Sequence, residues 1–274
     1  MSPVQLTILS DGTGPVKTLL WCHHTRTPTL HPMNKAFPPT LSDRFNRTVD
    51  YVRLSVTDRC DFRCVYCMAD DMEFVPKPEI LSLEELYQVA LAFTELGVGK
   101  IRLTGGEPLI RTNVMSLVER MGRLPGLREL ALTTNGSQLQ RLAPALKAAG
   151  VARVNISLDS LNPRKFRQLT RHGNLDQVVA GIDAAVAAGF AGVKINAVIL
   201  KGRNENEALD LVDFARDRNI DIAFIEEMPL GLIDDHDREL TFCSSEELMR
   251  LINPRHPLTA QGEPSGTAGP ARYY

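Results

Sequence analysis

The sequence predicts an α/β fold built on a parallel sheet, and three observations carry that prediction. Short, β-branched, near-continuously apolar runs recur between residues 46 and 240, as expected for parallel strands covered on both faces. Helical patterns separate them, so strand and helix alternate. The chain's unusual residues fall just after the apolar runs, which is where ligands sit in barrels and in doubly wound sheets alike.

Taken in order, the strand-like runs are Tyr51–Val56, Lys100–Thr104, Glu129–Thr133, Arg153–Ser157, Val193–Leu200 and Ile220–Ile225. The first helix starts at Ser82, where Ser82-Leu83-Glu84-Glu85 forms a capping box ahead of Leu86, Val89, Ala90 and Phe93, and it ends near Gly97. Further helices fit Val114–Met121, Leu139–Ala149 and Glu205–Asp217, and one with Leu175, Val178, Val179, Ile182 and Val186 on one face stops at Gly189. Six such units are fewer than the eight of a closed barrel. The pattern alone therefore leaves a partial barrel and an open doubly wound sheet as options. Residues 1–45, with six prolines and no clear period, read as a mobile extension, and Met33 within them is an alternative start. Residues 241–274 read as the start of a C-terminal region, with Gln261–Tyr274 as loop.

Composition narrows the function classes. At 274 residues, 43% apolar and 23% charged, the chain can bury a sizeable core. A formal net charge of −2 gives no support for a nucleic-acid or membrane-surface partner. No apolar run reaches the ~18 residues of a membrane span, and no secretory leader pattern is present, so a cytoplasmic location is expected.

Cys60-Asp61-Phe62-Arg63-Cys64-Val65-Tyr66-Cys67 has C-x3-C-x2-C spacing. In a reducing compartment such crowding points to metal rather than disulfides. Three thiolates can hold three irons of a 4Fe–4S cube and leave the fourth without a protein ligand. An open iron can chelate the amino and carboxylate groups of S-adenosylmethionine (SAM), and an electron passed through the cube then breaks its S–C5′ bond. The competing reading is zinc, which wants a fourth ligand that His23, His24 or His31 could give. Cys22 and Cys243 read as free or core thiols. Gly105-Gly106 lets backbone approach a ligand closely, or is an ordinary turn. Arg53, Arg102 and Lys194 interrupt apolar strands, so each needs an anionic partner. A triphosphate suits them, and so would an interior carboxylate such as Asp159 or Glu226.

The cysteine loop, followed by a strand ending in Gly105-Gly106-Glu107-Pro108, resembles the radical SAM superfamily. Together with Arg53–Cys60, Ile101–Leu109, Leu132–Gly136, Asn155–Asp159 and Val193–Asn196, it resembles the GTP 3′,8-cyclase family of molybdenum cofactor biosynthesis, over about residues 43–274. The resemblance implies a partial (β/α)6 barrel and a cyclisation in which C3′ of GTP loses hydrogen and bonds to C8 of guanine. It implies cluster ligation by Cys60, Cys64 and Cys67. By similarity Tyr66, Gly106, Ser157 and Met228 contact SAM, and Arg53, Arg102, Thr133 and Lys194 contact GTP. The implied partners are GTP and an electron donor such as a flavodoxin or ferredoxin, and a homodimer is allowed. Two departures stand out. The family's second cysteine triplet, C-x2-C-x13-C, is not found, and Ala223 stands where many members carry Arg. The expectation is a truncated form with one cluster that cyclises GTP poorly or not at all. The alternatives are a radical SAM enzyme with another substrate and an inactive iron–sulfur fragment.

Overall fold

The computed structural model describes residues 6–9, 41–228, 233, 236–261 and 271–274, with backbone alone at Leu6–Leu9 and Ala271. His23, His24, His31, Cys22 and Met33 lie outside the described residues.

The strands are β1 (Leu6–Leu9), β2 (Tyr51–Ser55), β3 (Lys100–Thr104), β4 (Glu129–Thr134), β5 (Val151–Ser157), β6 (Gly192–Val198), β7 (Asp221–Ile225) and β8 (Ala271–Tyr273). They form one sheet in the order β2-β3-β4-β5-β6-β7-β1-β8. The run from β2 to β7 is parallel throughout and keeps sequence order. This is the six-unit α/β sheet, open at its edges rather than closed, and the doubly wound alternative would have reversed the strand order partway. Two strands were not foreseen. Leu6–Leu9 runs parallel to β7 inside the stretch read as a mobile extension, and Ala271–Tyr273 pairs antiparallel with β1 inside the stretch read as loop.

Between strands lie α1 (Leu83–Glu95), α2 (Val114–Met121), α3 (Leu139–Ala148), α4 (Pro163–Thr170), α5 (Leu175–Ala187) and α6 (Ala208–Asp217), followed after β7 by α7 (Arg238–Thr241) and α8 (Ser245–Ile252). The capping box at Ser82 forms with both of its bonds, and Gly97 takes a φ of 92° just past the helix end, a conformation that costs glycine little. The expected helix over Glu205–Asp217 begins as a 3-10 turn at Glu205–Glu207 before α6. A helix not expected from sequence, α4, is capped by the Asn162 side chain, which accepts from Arg164 and Lys165 N–H, with Pro163 at its first position.

Strand residues alternate between two faces. Ile101, Leu103, Val154, Ile156, Ile195 and Ile222 point to the helices and are fully buried against Leu117, Leu146, Val178, Ile182 and Leu211. The opposite face carries Arg53, Lys100, Arg102, Glu129, Arg153, Lys194 and Asp221. Polar residues are thus gathered on the concave side, and the core seals the convex side.

Candidate functional site

The carboxyl ends of the strands bring the motifs together. Past β2 the chain enters the cysteine loop. Past β3 it turns through Gly105 and Gly106, where Gly106 N–H donates to Thr57 O at 2.8 Å and Glu107 N–H to Arg59 O at 2.8 Å. A Cβ on Gly106 would sit 2.3 Å from the Arg59 carbonyl oxygen, so only glycine permits this approach. On its other flank the loop leans on α4, with Arg63 N–H donating to Thr170 O and Val65 N–H to Leu169 O, both at 2.9 Å.

Glu107 has no exposed surface. Its carboxylate accepts from Leu109 N–H at 2.9 Å, Thr134 Oγ1–H at 2.8 Å and Asn135 N–H at 2.6 Å, clamping the end of β3 to the end of β4. Burial pushes its pKa from 4.5 up to about 7 and outweighs those three donors. Asn135 then reaches the cysteine loop, its side-chain N–H donating to Asp61 Oδ1 at 2.6 Å and facing Cys60 Sγ at 3.7 Å. Ser137 Oγ–H donates to Asp61 Oδ2 at 2.7 Å.

A second tie reaches the other end of the loop. Tyr66 O–H donates to Asp159 Oδ2 at 2.6 Å, and Asp159 Oδ1 accepts from Val198 N–H at 2.8 Å. Burial raises Asp159 to about 6. Asn204 donates to the backbone oxygens of Asp159 and Val198, locking β5 to β6.

Cys60, Cys64 and Cys67 are free thiols. Burial pushes Cys60 up to about 11 and Cys64 well upward. A bare thiolate is disfavoured there, and a cationic iron centre would stabilise it. Among the described residues, no group of three or more His, Cys, Asp or Glu is arranged to hold a single metal ion. Three thiols on one loop, beside a glycine-walled approach, fit a cube that takes its sulfurs at separate corners.

The residues expected at SAM and GTP distribute as follows. Tyr66, Gly106 and Ser157 lie at the strand ends around the loop, Ser157 in register with Asn196 of β6. Met228 follows β7 and is exposed, while the preceding Glu227 is buried against Thr241 Oγ1 at 2.9 Å and pairs with His236. Arg102 and Thr133 are joined, Arg102 Nη1–H donating to Thr133 Oγ1 at 3.3 Å and Arg102 Nε–H to Tyr51 O–H at 2.9 Å. Arg53 is exposed on β2 in register with Arg102. Lys194 is in register with Asp221. Burial lowers its basicity, Asp221 opposes this, and Arg102, Arg153 and Lys100 add to it. Asp159, the alternative partner weighed for the strand cations, accepts from Tyr66 and Val198, and Glu226 accepts from Ser245 N–H at 2.6 Å. Asp61, Asn135 and Ser137 were missed as site residues, and the available signal was their polarity beside a cysteine and at a strand end.

Comparison with known proteins follows this geometry. The Radical SAM superfamily model matches residues 54–215. The chain is 62% identical over 237 residues to the GTP 3′,8-cyclase of Pseudomonas entomophila (strain L48), covering 86% of this chain and 70% of that protein. It is 58% identical over 234 residues to the GTP 3′,8-cyclase of Marinobacter nauticus, covering 85% and 70%. Among solved structures, methylornithine synthase (PylB) superposes with a TM-score of 0.60 at 16% identity, over 76% of this chain and 62% of that one. TYW1 with a lysine–pyruvate adduct superposes with a TM-score of 0.56 at 12% identity, over 82% and 79%. These two likenesses bear on the fold alone.

Glu107 gives a pH test. The unfolded carboxyl ionises above 4.5 and the folded one holds its proton to about 7. Its contribution is therefore fully present below 4.5 and is lost as pH climbs through 7, on the order of 3 kcal/mol. Glu107→Gln removes that slope and sets an amide N–H against a backbone donor, costing about 1–3 kcal/mol. Urea unfolding of the metal-free protein should show the variant far weaker than wild type at about pH 5 and much closer to it at about pH 8. A gap constant across that span contradicts the assignment.

Proposed function

The chain belongs to the GTP 3′,8-cyclase family of the Radical SAM superfamily, and from that membership we propose that it binds a 4Fe–4S cluster, SAM and GTP and forms 3′,8-cyclo-7,8-dihydro-GTP, the first step of molybdenum cofactor biosynthesis. When bound, the cluster and SAM would supply a 5′-deoxyadenosyl radical able to take hydrogen from C3′ of GTP; bonding of C3′ to C8 of guanine would then leave a guanine radical that gains a second electron and a proton to give the 7,8-dihydro product.

The remaining work belongs to this chain's residues. Cys60, Cys64 and Cys67 hold three corners of the cube. Gly106 would leave backbone room for the methionyl end of SAM, and Tyr66, Ser157 and Met228 would contact it. Tyr66 is held for this by Asp159. Arg53, Arg102, Thr133 and Lys194 receive GTP on the concave face. Both electrons, one for SAM cleavage and one for the cyclised radical, come from outside, from a donor of the flavodoxin or ferredoxin kind.

The observation that carries the reading is the charge on that face. Arg53, Lys100, Arg102, Arg153 and Lys194 share it with only Glu129 and Asp221 among the described acids of these strands. Burial depresses Lys194 most, Asp221 opposes it, and Arg102, Arg153 and Lys100 add to it; Lys100 and Arg153 share Glu129, and a polyanion would relieve the repulsion that remains.

GTP deuterated at C3′, incubated anaerobically with the reconstituted protein, SAM and dithionite, should pass deuterium into 5′-deoxyadenosine. Cleaved SAM without label would assign a different substrate, and a loaded cluster that leaves SAM intact would make the chain an inactive iron–sulfur protein. Lys194→Ala should raise the KM for GTP about 10–100-fold, the value of a charged hydrogen bond, and leave SAM cleavage without GTP unchanged. An unaltered KM removes Lys194 from the phosphate site.

A further inference from the structure

We propose that Asn135 is a positioning residue that sets the reduction potential of the cluster held by Cys60, Cys64 and Cys67, through an N–H···S bond to Cys60. The proposal rests on the reading of those cysteines as cluster ligands and adds a residue that touches neither SAM nor GTP in it.

Three contacts define the side chain. Its Oδ1 accepts from Ser137 N–H at 3.0 Å, and one amide hydrogen goes to Asp61 Oδ1 at 2.6 Å. A backbone donor on one side and a carboxylate on the other settle which end of the amide is nitrogen. The second amide hydrogen faces Cys60 Sγ at 3.7 Å, and Phe62 N–H donates to the same sulfur at 3.4 Å. The backbone of Asn135 is in turn fixed by its bond to buried Glu107. The amide therefore has no alternative orientation that keeps its partners.

Donors to a ligating sulfur draw off thiolate charge and favour the more negative, reduced cube. Asp61, adjacent to Cys60, pulls the other way. Asn135 and Ser137 direct three donor–acceptor pairs at that corner, two of them onto the Asp61 carboxylate. Loss of the Asn135 amide removes the N–H···S bond and leaves Asp61 less neutralised, and both changes lower the potential. Another candidate carries less: Cys243 is a lone buried thiol.

The test is an EPR redox titration of the reconstituted wild type, Asn135→Ala and Ser137→Ala. At a fixed potential, Asn135→Ala should hold about tenfold less reduced cluster than wild type, which is about 59 mV for one electron. Ser137→Ala keeps the N–H···S bond and should shift by less than half as much. A purely structural role would lower cluster loading in both variants and leave the potential of the loaded fraction unmoved, and that result overturns the proposal. Equal shifts in the two variants also overturn it. Should Asn135→Ala hold no cluster, pulsed EPR of the reduced wild type carrying side-chain 15N-asparagine decides. Among the described residues Asn135 is the asparagine whose amide donates to the triad, so a weak 15N coupling supports the proposal and none refutes it. A wild type that takes up no iron–sulfur cluster at all refutes the functional reading instead, which separates the two failures.

Discussion

The buried carboxylate of Glu107 is the junction on which the site's geometry depends. It cannot reach water, so its oxygens must be satisfied internally, and the donors available are a backbone N–H of its own turn and the hydroxyl and N–H of Thr134 and Asn135 on the next strand. That requirement draws the ends of β3 and β4 together. It also aims Asn135 at Asp61 and Cys60. At the other end of the loop, Asp159 plays a similar part for Tyr66. The cysteine loop is thus tied at two points, through Asn135 to the carboxylate that follows β3 and through Tyr66 to the one that follows β5.

The two faces of the sheet divide the work. Side chains alternate along each strand, and the apolar set packs under the helices while the cationic set remains on the concave face. Parallel pairing in sequence order then lines up Arg53 with Arg102 and Lys194 with Asp221. The cysteine loop sits at the strand ends and the cations sit deeper along the strands. A substrate with a long polyanionic tail can touch both regions at once.

Much of this was legible in the sequence. The six central strands were found to within a few residues because parallel strands buried on both faces read as apolar runs, and the capping box of α1 has a sequence signature. Other elements carried weaker marks. The helix α4 is polar apart from Phe166 and Leu169, and its signals were Asn162 and Pro163. A second capping box, Ser244 with Glu247, starts α8 and was there to be read. The short strands β1 and β8 are four and three residues long, and their pairing depends on each other and on β7 rather than on local pattern. Long-range contacts were beyond reach: Asn135 and Asp61 are 74 positions apart, and nothing local says that they meet. The neighbours of the strand cations are equally long-range: Tyr51 and Thr133 accept from Arg102, and Asp221 lies in register with Lys194.

The account stands on a cube with three sulfur-bound corners and one iron that no side chain reaches. Mössbauer spectroscopy of protein reconstituted with 57Fe, before and after SAM is added, addresses that corner directly. The expected result is about four irons per chain, of which a single one changes its signal when SAM binds. Four irons indifferent to SAM, or a tightly bound zinc in their place, would contradict the account.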